Sequence, residues 1–351
     1  MNAPLRPTNP RPPLRILFVC GSINQTTQMH QVARELPEHE HAFTPYYCDG
    51  LLERARRSGL AEFTVAGERL AGRCFTYLRR EGLEVDYRGR RGPYDLVVSC
   101  SDLVVQGNLR GTPLVVVQEG ILDPEGWEYR LWRRLPFLPR WIAGTATTGL
   151  SLAYERLCVA SEGYRDHFVA RGVPRERIAV TGIPNFDDCR RFLRNDFPHR
   201  GYVLVCTSDA RETLKRDDRL AFIKRAIEIA AGRPLVFKLH PNENDERAAA
   251  EIRAMAPQAL VFARGSAEEM IANCDVLVTQ YSSTVFVGLA LGKECHSYWD
   301  LAELRRLMPI QNGSAARHVA EVCRGVLAEN PARQKAVPSL PGFAFPEAEA
   351  S

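Results

Sequence analysis

The stretch that decides the fold is residues 275–291, which read DVLVTQYSSTVFVGLAL. Residues 275–280 have the composition of a buried strand, and residues 284–291 have that of a helix. Between them lies the turn Ser282-Ser283-Thr284, whose hydroxyls and first helical N–H groups would point at one ligand. The pattern predicts an anion site made of a strand, a hydroxyl-rich turn and a helix, although serine and threonine are also common helix caps.

A second strand, predicted at residues 234–240, ends in Lys238-Leu239-His240-Pro241. Because side chains alternate along a strand, Lys238 and His240 would share one face, and Pro241 would end the strand. Lysine as a charge and imidazole as a donor would both reach a phosphate at the rim that carries the serine turn. The alternative is a surface histidine without a ligand.

Short β-branched runs alternate with amphipathic stretches along the chain, which is typical of βα units and a parallel sheet. The other expected strands are residues 15–20, 96–100, 114–118, 157–160, 179–182, 202–208 and 260–263. The expected helices end near residues 35 and 171 and span residues 212–231, 245–255, 284–291 and 318–327, with a capping box at residues 266–269 opening another.

A polar stretch at residues 185–200 divides this pattern into two halves, and 351 residues are too many for one ordinary core. We therefore expect an α/β protein of two Rossmann-like domains that face each other across a cleft. The first would span residues 14–193 and the second residues 194–335. A Pro-rich disordered tail is expected at residues 1–13 and a loose tail at residues 336–351.

Composition limits the class of protein. The net charge of +4 is too small to indicate nucleic acid, and 45% apolar with 25% charged residues is typical of a soluble globular protein. Ten cysteines without a CxxC motif indicate reduced core thiols, and no apolar run approaches the ~18 residues of a membrane span. The start lacks the pattern of a secretory signal. These features predict a cytoplasmic protein.

Polar residues follow several predicted strands of the first half, where ligands of open parallel sheets bind. Gly21 and Ser22 would allow close backbone approach to an acceptor, or form an ordinary turn. Glu119, between Gln118 and Gly120, would act as a general base, or simply end its strand. Asp102 would bind the acceptor, or cap a following helix.

In the second half, Ser208 and Arg211 follow the strand at residues 202–208. Arg211 would meet a phosphate, or the pair would belong to a helix start with an acidic cap. Gly182 ends the first half and would line the cleft at the hinge. The eight histidines lack HExxH spacing, and Asp187-Asp188 is an adjacent pair rather than a spaced DxD, so we expect no metal and no cofactor.

Residues 127–141, WEYRLWRRLPFLPRW, interleave aromatic rings with arginines. Aromatic rings at headgroup level and arginines on anionic lipid are typical of interfacial segments. Trp127, Arg133, Arg134 and Trp141 would contact a membrane or a lipid-linked acceptor. The alternative is a partly buried loop with solvated arginines.

On these residues the chain resembles the GT-B glycosyltransferase superfamily and the related non-hydrolysing UDP-N-acetylglucosamine 2-epimerases. The resemblance covers roughly residues 14–330 and is clearest at residues 157–185, LCVASEGYRDHFVARGVPRERIAVTGIPN, which look like the end of the N-terminal domain in both. Residues 21–29 have the placement of the epimerases' entry loop.

The chain departs from the epimerases at three motifs. Ser22-Ile23-Asn24 stand where their loop has arginine-proline, and Asp209-Ala210-Arg211-Glu212 stand for their His-Arg-Arg-Glu. Gln280-Tyr281-Ser282-Ser283 replace their Asp-Ser-Gly-Gly turn, with Phe286-Val287 in place of the ribose-binding carboxylate.

The pairing of His240-Pro241 with Ser282-Ser283-Thr284 is more similar to another branch, which includes bacterial sialyltransferases, Kdo transferases and CDP-glycerol glycerophosphotransferases. In that branch the two motifs hold the phosphate of a cytidine nucleotide. Some members carry His-Gly where this chain has Glu119-Gly120.

The resemblance implies a GT-B glycosyltransferase that needs no metal and takes a sugar from a CMP-, CDP- or UDP-activated donor. The acceptor would be a glycan or lipid-linked hydroxyl compound of polysaccharide synthesis, at the inner face of the cytoplasmic membrane. Glu119 would deprotonate the acceptor, while Lys238, His240 and the serine turn would neutralise the leaving phosphate. The alternatives are a sugar-nucleotide epimerase and a non-catalytic subunit of a polysaccharide assembly complex.

Overall fold

The computed structural model describes residues 12–45, 48, 68–135, 137–212 and 217–329. The tail predicted at residues 336–351, and residues 1–11 of the tail predicted at residues 1–13, lie outside the described residues.

The first half of the chain forms a six-stranded parallel sheet in the order β2-β1-β3-β4-β5-β6. Its strands are β1 (Arg15–Val19), β2 (Glu40–Thr44), β3 (Leu96–Ser99), β4 (Leu114–Val117), β5 (Arg156–Val159) and β6 (Ile178–Val180). Among its described residues the α-helices are α1 (Ile23–Arg34), α2 (Glu68–Arg80), α3 (Trp127–Arg134) and α4 (Glu162–Ala170). The central strands are buried apolar runs such as LVVV in β4, as expected of parallel strands covered on both faces.

The second half forms a five-stranded parallel sheet in the order β11-β10-β7-β8-β9. Its strands are β7 (Val203–Cys206), β8 (Leu235–Lys238), β9 (Leu260–Phe262), β10 (Val276–Thr279) and β11 (Glu294–His296). Its helices are α5 (Arg219–Ala230), α6 (Asp245–Met255), α7 (Ala267–Asn273), α8 (Thr284–Ala290), α9 (Leu301–Leu307) and α10 (Ala315–Glu329). The prediction of an α/β protein with two Rossmann-like domains is confirmed.

Side-chain caps fix where several helices begin. Ser22 accepts the N–H of Gln25 at the start of α1, and Ser266 accepts that of Glu269 at the start of α7, as the capping box predicts. The helix predicted at residues 212–231 begins later, at Arg219, because Asp218 caps it by accepting the N–H of Ala221.

The last helix, α10, packs on the first sheet although it follows the second. Val319, Ala320 and Cys323 lie in one apolar cluster with Ile16 and Phe18 of β1. The domain boundary at residues 193/194 stays a prediction of the sequence. All ten cysteines are buried and free, which agrees with the expectation of core thiols.

Candidate active site

Glu119 lies where β4 ends and is held by side chains from the start of α1. Its Oε1 accepts the hydroxyl of Ser22 at 3.2 Å and the amide of Asn24 at 3.0 Å, and its Oε2 accepts the amide of Gln25 at 2.7 Å. Gly21 donates its N–H to Gln25 Oε1 at 2.8 Å, which fixes that amide. The loop after β1 therefore serves to orient the carboxylate at the end of β4.

The carboxylate of Glu119 keeps room for one further donor. An ionised carboxylate offers about four lone-pair positions, and the three amide and hydroxyl donors from residues 22–25 occupy three of them. The open position is on Oε2, and the side chain is only partly buried. A hydroxyl group docked there would meet an oriented proton acceptor, which is the geometry that a general base requires.

The two halves of the chain meet beside Glu119. The N–H of Ile121 donates to Ser283 Oγ at 2.9 Å, which joins the loop after β4 to the loop after β10. Between Glu119 and Ile121 stands Gly120, and a Cβ at that position would overlap Ser283 Oγ. Close approach of the two loops therefore needs glycine, and the serine turn forms the opposite wall beside Glu119.

Within the serine turn, Ser282 Oγ lies 2.9 Å from Thr284 Oγ1 and accepts the N–H of Thr284 at 3.3 Å. Ser283 does not cap α8 with its side chain, because its hydroxyl oxygen is used on Ile121. The turn is thus partly an interlobe contact.

The loops after β7, β8 and β10 form one connected rim. Ser208 donates its hydroxyl to Gln280 Oε1 at 2.7 Å, which ties the loop after β7 to that after β10. His240 donates its N–H to Thr207 Oγ1 at 3.0 Å, which ties in the loop after β8. The rim runs from His240 through Thr207 and Ser208 to Gln280 and the serine turn.

The imidazole of His240 is about one-third exposed on this rim (35%). Its Nδ1 accepts the N–H of Asn242 at 3.2 Å and lies 3.6 Å from the carboxylate of Asp209. Burial lowers the pKa of the imidazole, and the Asp209 charge opposes that shift only in part. The ring is therefore neutral near pH 7, and with Nδ1 accepting a hydrogen bond its proton is assigned to Nε2. The group is a donor of one hydrogen bond.

Two cations predicted to bind a phosphate, Lys238 and Arg211, are bound to other groups of the protein. Lys238 is 5% exposed, and its Nζ donates to the carbonyls of Leu239 at 2.7 Å and Ala263 at 3.3 Å. Burial lowers the pKa of its ammonium group. Arg211 makes two 2.9 Å hydrogen bonds to the carboxylate of Glu251. Both placements differ from the predicted phosphate contact, because each cation is bound to partners within the second half of the chain.

Asp102 and Gly182 also lie away from the cleft. Asp102 is fully buried and accepts from Arg140 Nη1 at 2.9 Å and from the N–H of Gly149 at 2.7 Å, so it neither binds an acceptor nor caps a helix. Gly182 has a φ of +83°, and a Cβ there would lie 2.9 Å from the Cβ of Ala315. Its role is to let α10 approach, which corrects its assignment to the cleft.

The first half also reaches the His-Pro motif. Arg73 of α2 donates from Nη1 to the carbonyl of Pro241 at 2.8 Å. Pro241 therefore contributes a backbone oxygen to an interlobe contact.

The sequence interpretation missed three buried charges beneath the rim: Asp217, Arg219 and Glu243. Arg219 lies 2.7 Å from Glu243 Oε1 and 3.1 Å from Asp217 Oδ2, and its side chain is 3% exposed. Glu243 Oε2 also accepts the N–H of His240 at 2.9 Å. Glu243 stands three residues after His240, and this spacing was the only local signal. The paired charges therefore contact the backbone of the loop after β8.

Two general properties bear on the site. Within the described ranges, no group of three or more His, Cys, Asp or Glu side chains could hold a metal ion. Among the described helices, none has both the length and the apolar character needed to cross a bilayer.

No family model matches the sequence, and no curated protein matches it, whereas solved structures match it over most of its length. The UDP-GlcNAc 2-epimerase of Methanocaldococcus jannaschii, solved with UDP-GlcNAc and UDP, is 12% identical with a TM-score of 0.55, over 89% of this chain and 100% of that one. The enzyme of Neisseria meningitidis bound to UDP-GlcNAc is 13% identical with a TM-score of 0.53, over 92% and 93% of the two chains.

The wall teichoic acid polymerase TagF is 10% identical with a TM-score of 0.51, over 91% of this chain and 90% of that one. At such identities the likeness establishes the fold. Two parallel sheets, joined where the loops after β4 and β10 touch, agree with it. The chain has the GT-B fold, two Rossmann-like domains with a cleft between them.

Proposed function

We propose that this protein is a glycosyltransferase that moves a sugar, or a sugar-like group, from a nucleotide-activated donor to a hydroxyl acceptor. The observation that carries the proposal is the hydrogen bond between Ile121 N–H and Ser283 Oγ, which sets Glu119 and the serine turn on facing walls of one cleft. Two structures of the same fold hold UDP-GlcNAc, which supports a nucleotide sugar as the donor.

In the proposed reaction the acceptor hydroxyl binds at the open position of Glu119 Oε2. Its oxygen attacks the anomeric carbon while its proton passes to Glu119. The bond between that carbon and the phosphate oxygen breaks, and the electron pair leaves with the phosphate. His240 donates from Nε2 to the leaving phosphate, and the hydroxyls of Ser282 and Thr284 supply further donors.

The proposed acceptor is a glycan or lipid-linked hydroxyl compound of cell-surface glycan synthesis, used on the cytoplasmic side of the membrane. Glu119 lies at the end of β4 in the first sheet, which supports placing the acceptor on that half and the donor nucleotide on the second half. The connected rim from His240 to Gln280 supports the donor side of this assignment.

A second candidate is a sugar-nucleotide epimerase, which the likeness to two UDP-GlcNAc 2-epimerases favours. An epimerase needs no acceptor, so the two candidates differ in one reagent. UDP-GlcNAc and CMP- and CDP-linked donors should be incubated with the protein, with and without an extract of cellular lipids and glycans. Nucleotide release that depends on the extract supports the transferase. If the donor is isomerised without the extract, the protein is an epimerase and the transferase proposal is rejected.

Ligand binding gives an independent check on any catalytic role. We expect at least one of UDP, CMP, CDP, GDP and dTDP to raise the Tm, because a ligand that binds only the native state stabilises it. If none shifts the Tm, both enzyme proposals fail, and a non-catalytic subunit is left.

His240 gives the sharpest prediction for the transferase. We expect His240→Ala to lower kcat about 100-fold or more, because one donor to the leaving phosphate is lost. The Tm should change little, because the imidazole is partly exposed. His318→Ala, in α10, is the matched control and should keep full turnover. An unchanged rate in His240→Ala rejects this role.

A further inference from the structure

We propose that residues 126–135 and 137–141, the docking segment, bind the surface of an anionic phospholipid bilayer. Large apolar side chains of this segment are exposed to solvent: Trp127 (66%), Leu131 (38%), Leu135 (39%), Phe137 (79%) and Trp141 (42%). Soluble proteins expose such side chains singly, and a contiguous group marks a contact surface.

Two of these apolar side chains, Trp127 and Leu131, lie on an outer stripe of α3, and Leu135 directly follows the helix. Trp127, Leu131 and Leu135 follow each other at spacings of four residues, which places them above one another on one face of the helix. The opposite face is already occupied, because Tyr129 and Trp132 pack with Ala143 and Ala146 in a separate small core. The helix is therefore apolar on two sides. The rest of the protein covers only the side that carries Tyr129 and Trp132.

Arginines flank the exposed stripe, and none of them has a counterion among the residues that the structure describes. Arg130, Arg133 and Arg134 are exposed, and none of them makes an ion pair with another residue in the described part of the chain. By contrast, Arg140 pairs with Asp102 and Arg171 pairs with Glu125. Three cations left for an outside anion, beside exposed aromatic rings, match the charge and polarity of an anionic headgroup layer.

Hydrogen bonds connect both ends of the docking segment to the rest of the fold. At its base, Asp123 donates its N–H to Thr145 Oγ1 at 2.8 Å and accepts the N–H of Thr145 at 3.2 Å. Near its end, Arg140 is bound to the buried carboxylate of Asp102, which also accepts the N–H of Ser151 at 3.0 Å. A surface that is already formed loses little conformational entropy when it binds.

The docking segment starts close to the candidate active site. Asp123 is two residues beyond Ile121, which contacts Ser283 across the cleft. Docking would therefore bring the Glu119 side of the cleft to the bilayer, where a lipid-linked acceptor would lie. This last step rests on the proposed function, whereas the lipid contact does not.

Vesicle sedimentation of the purified full chain tests the lipid contact. We expect binding to phosphatidylcholine vesicles that contain phosphatidylglycerol, little binding to phosphatidylcholine alone, and weaker binding at higher salt. Arg133→Gln/Arg134→Gln should lower the partition coefficient roughly 30-fold, the effect of two arginines near an anionic surface. Trp127→Ser/Phe137→Ser should also lose most of the binding, because the rings enter the interface.

Matched controls separate this surface from general effects. Leu260→Ser removes a side chain that is 43% exposed, and Arg317→Gln removes a charge that is 61% exposed, both outside the docking segment. Both should bind vesicles as the unmodified chain does. The Tm and the near-UV spectrum of every variant should show that the fold is kept, as expected for exposed positions.

Three results would overturn the proposal. One is no binding to phosphatidylglycerol vesicles, and another is equal binding by the docking-segment variants. The third is a protein that does not bind vesicles but forms a concentration-dependent dimer, which Trp127→Ser/Phe137→Ser abolishes. A second copy of the chain would then occupy the surface.

The nucleotide Tm shift, measured on the same samples, reports the proposed function separately. Nucleotide binding without vesicle binding removes only the docking proposal, and the reverse removes only the donor assignment.

Discussion

A single buried carboxylate, that of Asp102, organises a loop that lies far from it in sequence. Asp102 has no exposed surface and accepts hydrogen bonds from Arg140, Gly149 and Ser151. These donors belong to residues 140–151, so one side chain satisfies a guanidinium and two backbone N–H groups. Removing it would leave three donors without their acceptor in a mostly buried position.

We expect Asp102→Ala to lower the free energy of unfolding by about 3–5 kcal/mol, the usual cost of removing one partner of a buried ion pair. Urea denaturation would measure the change. Asp166→Ala is the matched control, because Asp166 is 62% exposed and lies 3.8 Å from Arg175, and its loss should be within about 1 kcal/mol of zero. A loss of similar size in both variants would contradict the anchoring role of Asp102.

The position of a residue at a strand end could be predicted from the sequence around it. The partners of a side chain that contacts distant parts of the chain could not. Glu119 and Ser22 were singled out because each lies in the loop after an apolar strand, and their contact follows from the parallel sheet, which brings those loops to one edge. Asp102 also follows a strand, but its partner Arg140 is 38 residues away along the chain. Nothing in a local pattern indicates that this carboxylate turns inward.

At the scale of the element, most strands were predicted because they are short apolar runs, whereas two of the four edge strands, β2 and β11, were missed. β2 reads EHAFT and β11 reads ECH, and an edge strand of this kind has polar residues on its open side. Pro241 led us to place the end of β8 too late, because that strand ends at Lys238 rather than at His240. The side chain of Lys238 turns to backbone carbonyls at the end of the sheet instead of the rim.

The rim of the second sheet depends on the buried pair Arg219 and Glu243. Glu243 contacts the backbone of His240 and the hydroxyl of Thr207, so one carboxylate joins the loops after β7 and β8 to the start of α5. We expect Glu243→Gln to lower the free energy of unfolding by roughly 1–3 kcal/mol, because hydrogen bonds to a charged group become neutral ones. Chemical denaturation would measure the difference.

Glu246→Gln is the matched control for this network, because Glu246 is exposed in the first turn of α6. Loss of its charge near a helix N-terminus should cost no more than about 1 kcal/mol. Equal stability of Glu243→Gln and the unmodified chain would show that the buried carboxylate does not hold the rim.

At the scale of the whole molecule, the two sheets share one apolar cluster. Val116 and Leu157 of the first sheet belong to it together with Leu277 of the second, and the rings of Phe186 and Phe286 are 6.3 Å apart between them. These contacts set the relative position of the lobes, and hence the distance between the facing walls of the cleft.

The contact of Gly120 with Ser283 tests whether that distance matters. Gly120 is outside the left-handed backbone region, so alanine fits its conformation, but the new Cβ would overlap Ser283 Oγ and lie 3.1 Å from Ser283 Cβ. We expect Gly120→Ala to cost about 1–3 kcal/mol of stability and to lower turnover, because the lobes must separate. Ser283→Gly alone should cost about 1 kcal/mol, the hydrogen bond to Ile121.

The double variant Gly120→Ala/Ser283→Gly tests whether the stability loss of Gly120→Ala comes from steric overlap with Ser283. Without the serine side chain, the atom nearest to the alanine methyl is in the ring of Phe186, at 3.7 Å, an ordinary contact distance. The double variant should therefore be more stable than the sum of the single losses predicts, with a coupling free energy of about 1 kcal/mol or more. Urea denaturation of all four proteins completes the cycle. Strict additivity would mean that the two loops do not press on each other, and the facing walls of the cleft would then need another origin.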